Sequence, residues 1–261
     1  MQQELDNQII MSKVPAEDVT GSANPIDSDE KGEDVQDFTG SDFRTNRTFF
    51  IEDHHLTDKS VAIHNVTDRM DVSYQGRDIE DSFHDKARAA TYGKDKKPTY
   101  TINKNSGLLG RTSTMYAMDG GAELAYWKHP ALPIQSAEIT FPEGSPHGSH
   151  QLTLKAASHS SLGNEWVQDS VTYRWKCESR WKLGQYNLTR TVSGQKMLIG
   201  KYTQNMIKTT AGGVLIVDSN EIDEVVAVLT MCVMLRRMLQ RTAGRSLSRN
   251  AGPLGGAGLA I

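Results

Sequence analysis

Carboxylates, histidines and basic clusters are the side chains of this 261-residue chain most able to do chemistry, and their spacing decides which chemistry is open to them. Asp27-Ser28-Asp29-Glu30-Lys31-Gly32 begins like a calcium loop, with carboxylates at positions one and three and glycine at six. Lys31 then takes the fifth-ligand position and Phe38 the twelfth, where a bidentate Glu is required, so the stretch reads as solvated acid. The histidines group as His54, His55 and His64, and as His147 with His150. Neither group comes with Cys ligands or an HExxH helix, and adjacent strand residues such as His54 and His55 point to opposite faces. No metal and no other cofactor is expected. The chain has no GxSxG elbow, no GxxxxGK[ST] phosphate loop and no GxGxxG turn. An enzyme whose residues converge from separate strands would leave no such motif, and it stands as the alternative to a non-enzymatic protein.

Two basic sets could attract anionic lipid headgroups. One is the loop Lys94, Lys96 and Lys97; the other is Arg236, Arg237 and Arg241, followed by Arg245 and Arg249. Each Lys or Arg held near an anionic surface contributes about 1 kcal/mol. The competing readings are a solvated loop for the first set and helix-end charge for the second. Cys177 and Cys232 are far apart in sequence and are expected to be reduced thiols, with Cys232 buried and inert. The tryptophans Trp127, Trp166, Trp175 and Trp181 are expected to fill a core.

The charge balance of 29 basic against 32 acidic residues gives no reason to expect a nucleic-acid partner. Met1 to Asn7 is polar and acidic where a secretory peptide needs a basic start and an apolar stretch, so cytosolic or nuclear residence is expected. In that compartment the Asn-x-Thr triplets at Asn46, Asn65 and Asn187 are chance matches. Residues 1–42 are read as a disordered acidic tail, because residues 1–40 hold ten acidic side chains against two lysines and few bulky apolar groups. Residues 242–261, rich in glycine around Pro253, are read as a flexible tail.

Between the tails the dominant period is two. Val171-Thr172-Tyr173-Arg174-Trp175-Lys176-Cys177 alternates strictly, which puts one face in a core and the other in water. Similar runs at 48–52, 59–66, 98–104, 112–118, 121–128, 135–141, 150–156, 179–183, 186–191, 197–203 and 213–217 bring the expected strands to twelve. Turn chemistry at Asn105-Ser106-Gly107, Asp119-Gly120, Pro142 to Gly148 and Ser193-Gly194 separates several of them. Asp78 to Ala90 interrupts the alternation and reads as a short surface helix.

The architecture follows from residues 221–241, which contain no Gly or Pro, open with Glu221, Asp223 and Glu224, and close with arginines. Asp218, Ser219 or Asn220 is expected to cap this helix. Val225 to Leu235 is apolar throughout except Thr230, so the helix has no polar stripe to turn toward water. The run is shorter than the roughly 20 residues of a membrane span, which points to burial in protein. Burying about ten such side chains contributes on the order of 15–25 kcal/mol gross. Only a sheath of many strands can cover a helix on all sides, and a closed barrel also removes exposed sheet edges.

Asp223-Glu224-Val225-Val226 and Leu235-Arg236-Arg237, downstream of Tyr173-Arg174-Trp175-Lys176, resemble the tubby C-terminal-like superfamily, especially uncharacterised fungal members and LURP-one-related proteins. The resemblance covers about residues 43–241 and implies a mainly β fold: a closed antiparallel barrel of about twelve strands around a hydrophobic C-terminal helix. Tubby proteins bind phosphoinositides through basic residues on the barrel, but this chain does not align to that site residue by residue, so that function does not carry over. The function expected is an interaction module that binds anionic phospholipid or a protein partner, without a transmembrane span, in the cytoplasm or at a membrane periphery. A scramblase-like protein with 225–235 embedded in lipid is the third reading.

Overall fold

Strict alternation of apolar and polar residues leaves each strand one face to bury, and here the buried faces all turn toward a common axis. The computed structural model of the protein describes residues 43–53, 59–71, 74, 78–93, 97–107, 110–117, 121–128, 136–148, 151–157, 163–178, 184–204 and 212–250, with side chains at 105–107, 110–111 and 241–250 outside that description. These residues fall within the compact unit Phe38–Ile261. The strands are β1 (Arg47–Ile51), β2 (Ser60–Asn65), β3 (Tyr100–Gly107), β4 (Gly110–Ala117), β5 (Glu123–Lys128) and β6 (Ala137–Thr140). They continue as β7 (Gln151–Ala156), β8 (Asn164–Gln168), β9 (Val171–Cys177), β10 (Gln185–Val192), β11 (Gln195–Gln204) and β12 (Gly213–Val217). Each pairs antiparallel with its neighbours in sequence, and β1 pairs β12, so the sheet closes into a barrel without a free edge.

Twelve strands are present, as expected, but not the same twelve. β8 is not among the expected runs, and the expected run at 179–183 lies outside the described residues. Polar residues at both ends of β8 hide its alternation: Asn164 and Trp166 are buried, whereas Val167 is exposed. A two-residue turn at Asp169-Ser170, with φ of 50° and 64°, reverses the chain into β9, and Ser193-Gly194 makes the equivalent turn between β10 and β11 with φ of 51° and 81°. Positive φ at both central positions matches the right-handed twist of the flanking strands. Gly213 serves a different need, since the Tyr202 ring lies where its Cβ would be.

The C-terminal helix α2 (Glu224–Asn250) runs through the lumen. It starts at Glu224, where residue 221 was expected, because Asp223 is the cap: its Oδ1 accepts the backbone N–H groups of Val225 and Val226 at 2.9 and 3.1 Å. The expected cap Asp218 instead accepts the N–H of Asn220 in the turn before it. The helix also runs past 241 to Asn250, into the segment read as a tail; a single Gly244 costs a helix only about 1 kcal/mol. Val225 to Leu235 are all buried, surrounded by the inward side chains of the strands. Thr230, the polar exception, accepts the Trp175 indole N–H at 3.0 Å and donates to the Ala227 carbonyl at 3.1 Å. Trp127, Trp166 and Trp175 pack into this core, as does Cys232, while Trp181 lies outside the described residues.

A second core sits outside the barrel. Helix α1 (Asp81–Ala89), the expected surface helix, lays Phe83 and Ala87 over Phe50 of β1 and Val214 and Ile216 of β12. Every residue of β12 is therefore buried, with Leu215 and Val217 facing the lumen and Val214 and Ile216 facing α1.

Candidate functional site

Two barrel mouths gather the polar side chains. At the mouth where α2 begins, strand ends and loops hold its first turn. Arg47, the first residue of β1, donates Nε–H to Glu224 at 3.0 Å, and the Tyr100 hydroxyl at the start of β3 donates to the same carboxylate at 2.7 Å. His147, in the loop after β6, has Nδ1 3.0 Å from Asp223 Oδ2, and Arg190 near the end of β10 pairs with Glu221. Burial first, then the Glu224 hydrogen bond, raises the Tyr100 phenol well above its ordinary range, so it stays a neutral donor. This ring of contacts fixes the carboxylates that cap and precede the helix. Its acids are engaged by Arg47, Tyr100, His147 and Arg190, which suits a latch rather than acid–base chemistry.

At the opposite mouth, α2 brings Arg236 and Arg237 into the barrel wall, where both are buried. Arg237 donates to Asn164 Oδ1 at the start of β8 and, at 3.1 Å, to the Leu154 carbonyl of β7. Arg237 is thus an anchor for the helix. The Tyr186 hydroxyl of β10 meets Met238 Sδ at 2.7 Å one residue further on.

Of the basic residues singled out by sequence, the described side chains of Lys97 and of Arg236 and Arg237 are not brought together. Lys97 is exposed and stands three positions before Tyr100, beside the mouth where α2 begins. Arg237 lies at the other mouth, about 20 Å along the helix axis from Glu224 at 1.5 Å per residue. Lys94 and Lys96 lie outside the described residues, as does the side chain of Arg241.

Of the histidine groups, only His64 and His147 are described. His54, His55 and His150 lie outside the described residues, as do Asp27 to Gly32; His64 is buried with Nε2 3.0 Å from Glu52 Oε1. Among the described residues, no cluster of three His, Cys, Asp or Glu side chains could hold a metal ion. Asn46 and Asn65 use their side-chain oxygens inside the fold, accepting the N–H groups of Ser219 at 2.8 Å and Thr67 at 3.0 Å. The Asn164–Arg237 pair was missed by sequence reasoning, and its one available signal was a polar residue at a position alternating with Trp166.

These features define a closed twelve-stranded antiparallel barrel filled by its own C-terminal helix. No protein-family model, no curated protein and no solved structure matches this chain.

Proposed function

We propose that the chain is a tubby-like barrel acting as a non-enzymatic interaction module, and that its basic 94–97 loop contacts anionic phospholipid headgroups at the cytoplasmic face of a membrane. The observation that carries this reading is the occupancy of the lumen by residues 225–235, which are at most 5% exposed. A barrel filled in this way does its recognition on its outer wall and loops, where Lys97 is exposed. Kinship with the tubby-like superfamily is supported by the conjunction of twelve antiparallel strands with an apolar C-terminal helix inside them. Lipid embedding of 225–235 is not part of the proposal, since strands already cover that run, and among the described residues no helix is long and apolar enough to cross a membrane. Arg236 and Arg237 are not part of it, because both are buried.

Three lysines at about 1 kcal/mol each make the expected effect large. In sedimentation with phosphatidylcholine vesicles containing a phosphoinositide, at about 0.15 M salt, the full chain should partition onto the vesicles. The K94E/K96E/K97E variant should partition roughly a hundredfold less. Equal sedimentation of the two proteins would remove the loop from the proposal, and no sedimentation of either would remove the lipid.

A further inference from the structure

Helix α1 covers the seam at which the barrel closes, the pairing of its first and last strands, and it does so through side chains separate from the lumen core. Phe50, Val66, Val214 and Ile216 from the barrel meet Ile79, Phe83, Ala87 and Ala90 in one cluster, while the inward residues form another. The two clusters share no side chain, which is the physical condition for an element to open on its own.

In the middle of this outer interface sits an ionisable group. His84 of α1 is only 1% exposed, its ring stands edge-on to Phe50 with centroids 5.7 Å apart, and its Nε2 is 3.4 Å from the Gly212 carbonyl just before β12. Its Nδ1 is buried and has no hydrogen-bond partner among the described residues. A neutral ring with Nε2 as the donor fits this setting. Adding a proton places a second N–H, and a positive charge, against apolar side chains with no acceptor in reach.

We propose that α1 is a proton-released cover: protonation of His84 undocks it from the β1–β12 seam and uncovers Phe50, Val214 and Ile216, while the barrel and its central helix stay folded. The charged and titratable groups around His84 set the balance. On α1 itself Asp81 and Asp85 favour the proton and Arg88 opposes it. On the barrel side stand Glu52, just after β1, His64 of β2 and Lys201 of β11, and Tyr74 packs against Phe83. Burial outweighs these and lowers the His84 pKa below its ordinary 6.5. The undocked helix then binds more protons than the docked one between those two pKa values. Docking is strongest above about pH 6.5 and weakens as pH falls through that window.

Native-state hydrogen exchange of the α1 amides at pH 7.5 and 5.0, normalised to intrinsic exchange rates, tests this. For one proton gained on opening from an ordinary imidazole of pKa 6.5, protection of α1 should fall by up to about thirtyfold, while amides of β10 and of α2 residues 225–235 keep theirs. In His84→Gln, α1 protection should be the same at both pH values, and His64→Gln should retain the wild-type fall. The wild-type imidazole resonance of His84 should titrate with a midpoint below 6.5, concurrent with the loss of protection, so the proposal is decided even if a variant does not fold. Unchanged α1 protection in wild type overturns it, as does an equal fall in His84→Gln or a parallel fall across the whole barrel. None of these readouts depends on lipid.

Discussion

Replacing Leu229 by aspartate should leave the protein unfolded at 25 °C. Leu229 is 0% exposed in the second turn of α2, packed among strand side chains of the lumen core. A carboxylate there has no water and no partner. Its desolvation, even after the group protonates, costs several kcal/mol, a large share of the roughly 5–15 kcal/mol that holds a domain together. Loss of the leucine side chain adds about 2–5 kcal/mol, so Leu229→Ala serves as the graded control. Circular dichroism should find Leu229→Ala folded with a melting temperature lower by about 5–15 °C, and Leu229→Asp without a cooperative transition. A Leu229→Asp protein melting within a degree or two of wild type would place residue 229 against solvent.

Cutting the anchor at the far mouth should have the second largest effect. Asn164→Leu removes one acceptor from the buried Arg237 guanidinium, and a buried donor left without its acceptor costs about 1–3 kcal/mol, with a charged group at the upper end. Removing both ends of a buried polar interaction costs much less than removing one. The double variant Asn164→Leu/Arg237→Met should therefore recover at least half of the stability lost by Asn164→Leu in urea unfolding. Additive losses would mean that the two residues do not depend on one another.

Much of the barrel is legible in the sequence because its two strongest signals answer each other. An eleven-residue apolar run with no polar face demands a sheath, and alternating strands with one wet face each supply it. β12 is apolar from Val214 to Val217, and the coordinates reveal α1 as the cover of its outer face. What stayed hidden was decided by partners distant in sequence. The alternation of β8 is masked because its inward Asn164 is polar, and that residue is polar because Arg237, 73 positions later, needs an acceptor. Arg236 and Arg237 read as charges emerging from the helix end, since nothing local marks where the barrel wall stops. Asp223 is not the expected cap because Asp218, Ser219 and Asn220 stand directly before the expected start at 221; in the structure Asp218 accepts the Asn220 N–H in the turn and Asp223 caps a helix that begins later. His84 carries no motif at all; its chemistry comes from a carbonyl 128 residues away and from the apolar seam it covers.

The central claim, that the C-terminal helix lives inside a wall made by its own chain, is tested most directly by the thiol of Cys232. This side chain is 5% exposed at the helix centre, and burial pushes its pKa from 9.0 up to about 12. At pH 8 that shift alone lowers the thiolate fraction about a thousandfold, before occlusion by the strands is counted. In a Cys177→Ser background, labelling of Cys232 by a maleimide should be at least a thousandfold slower in native protein than in guanidinium. A native rate within tenfold of the denatured one would put the helix outside the barrel.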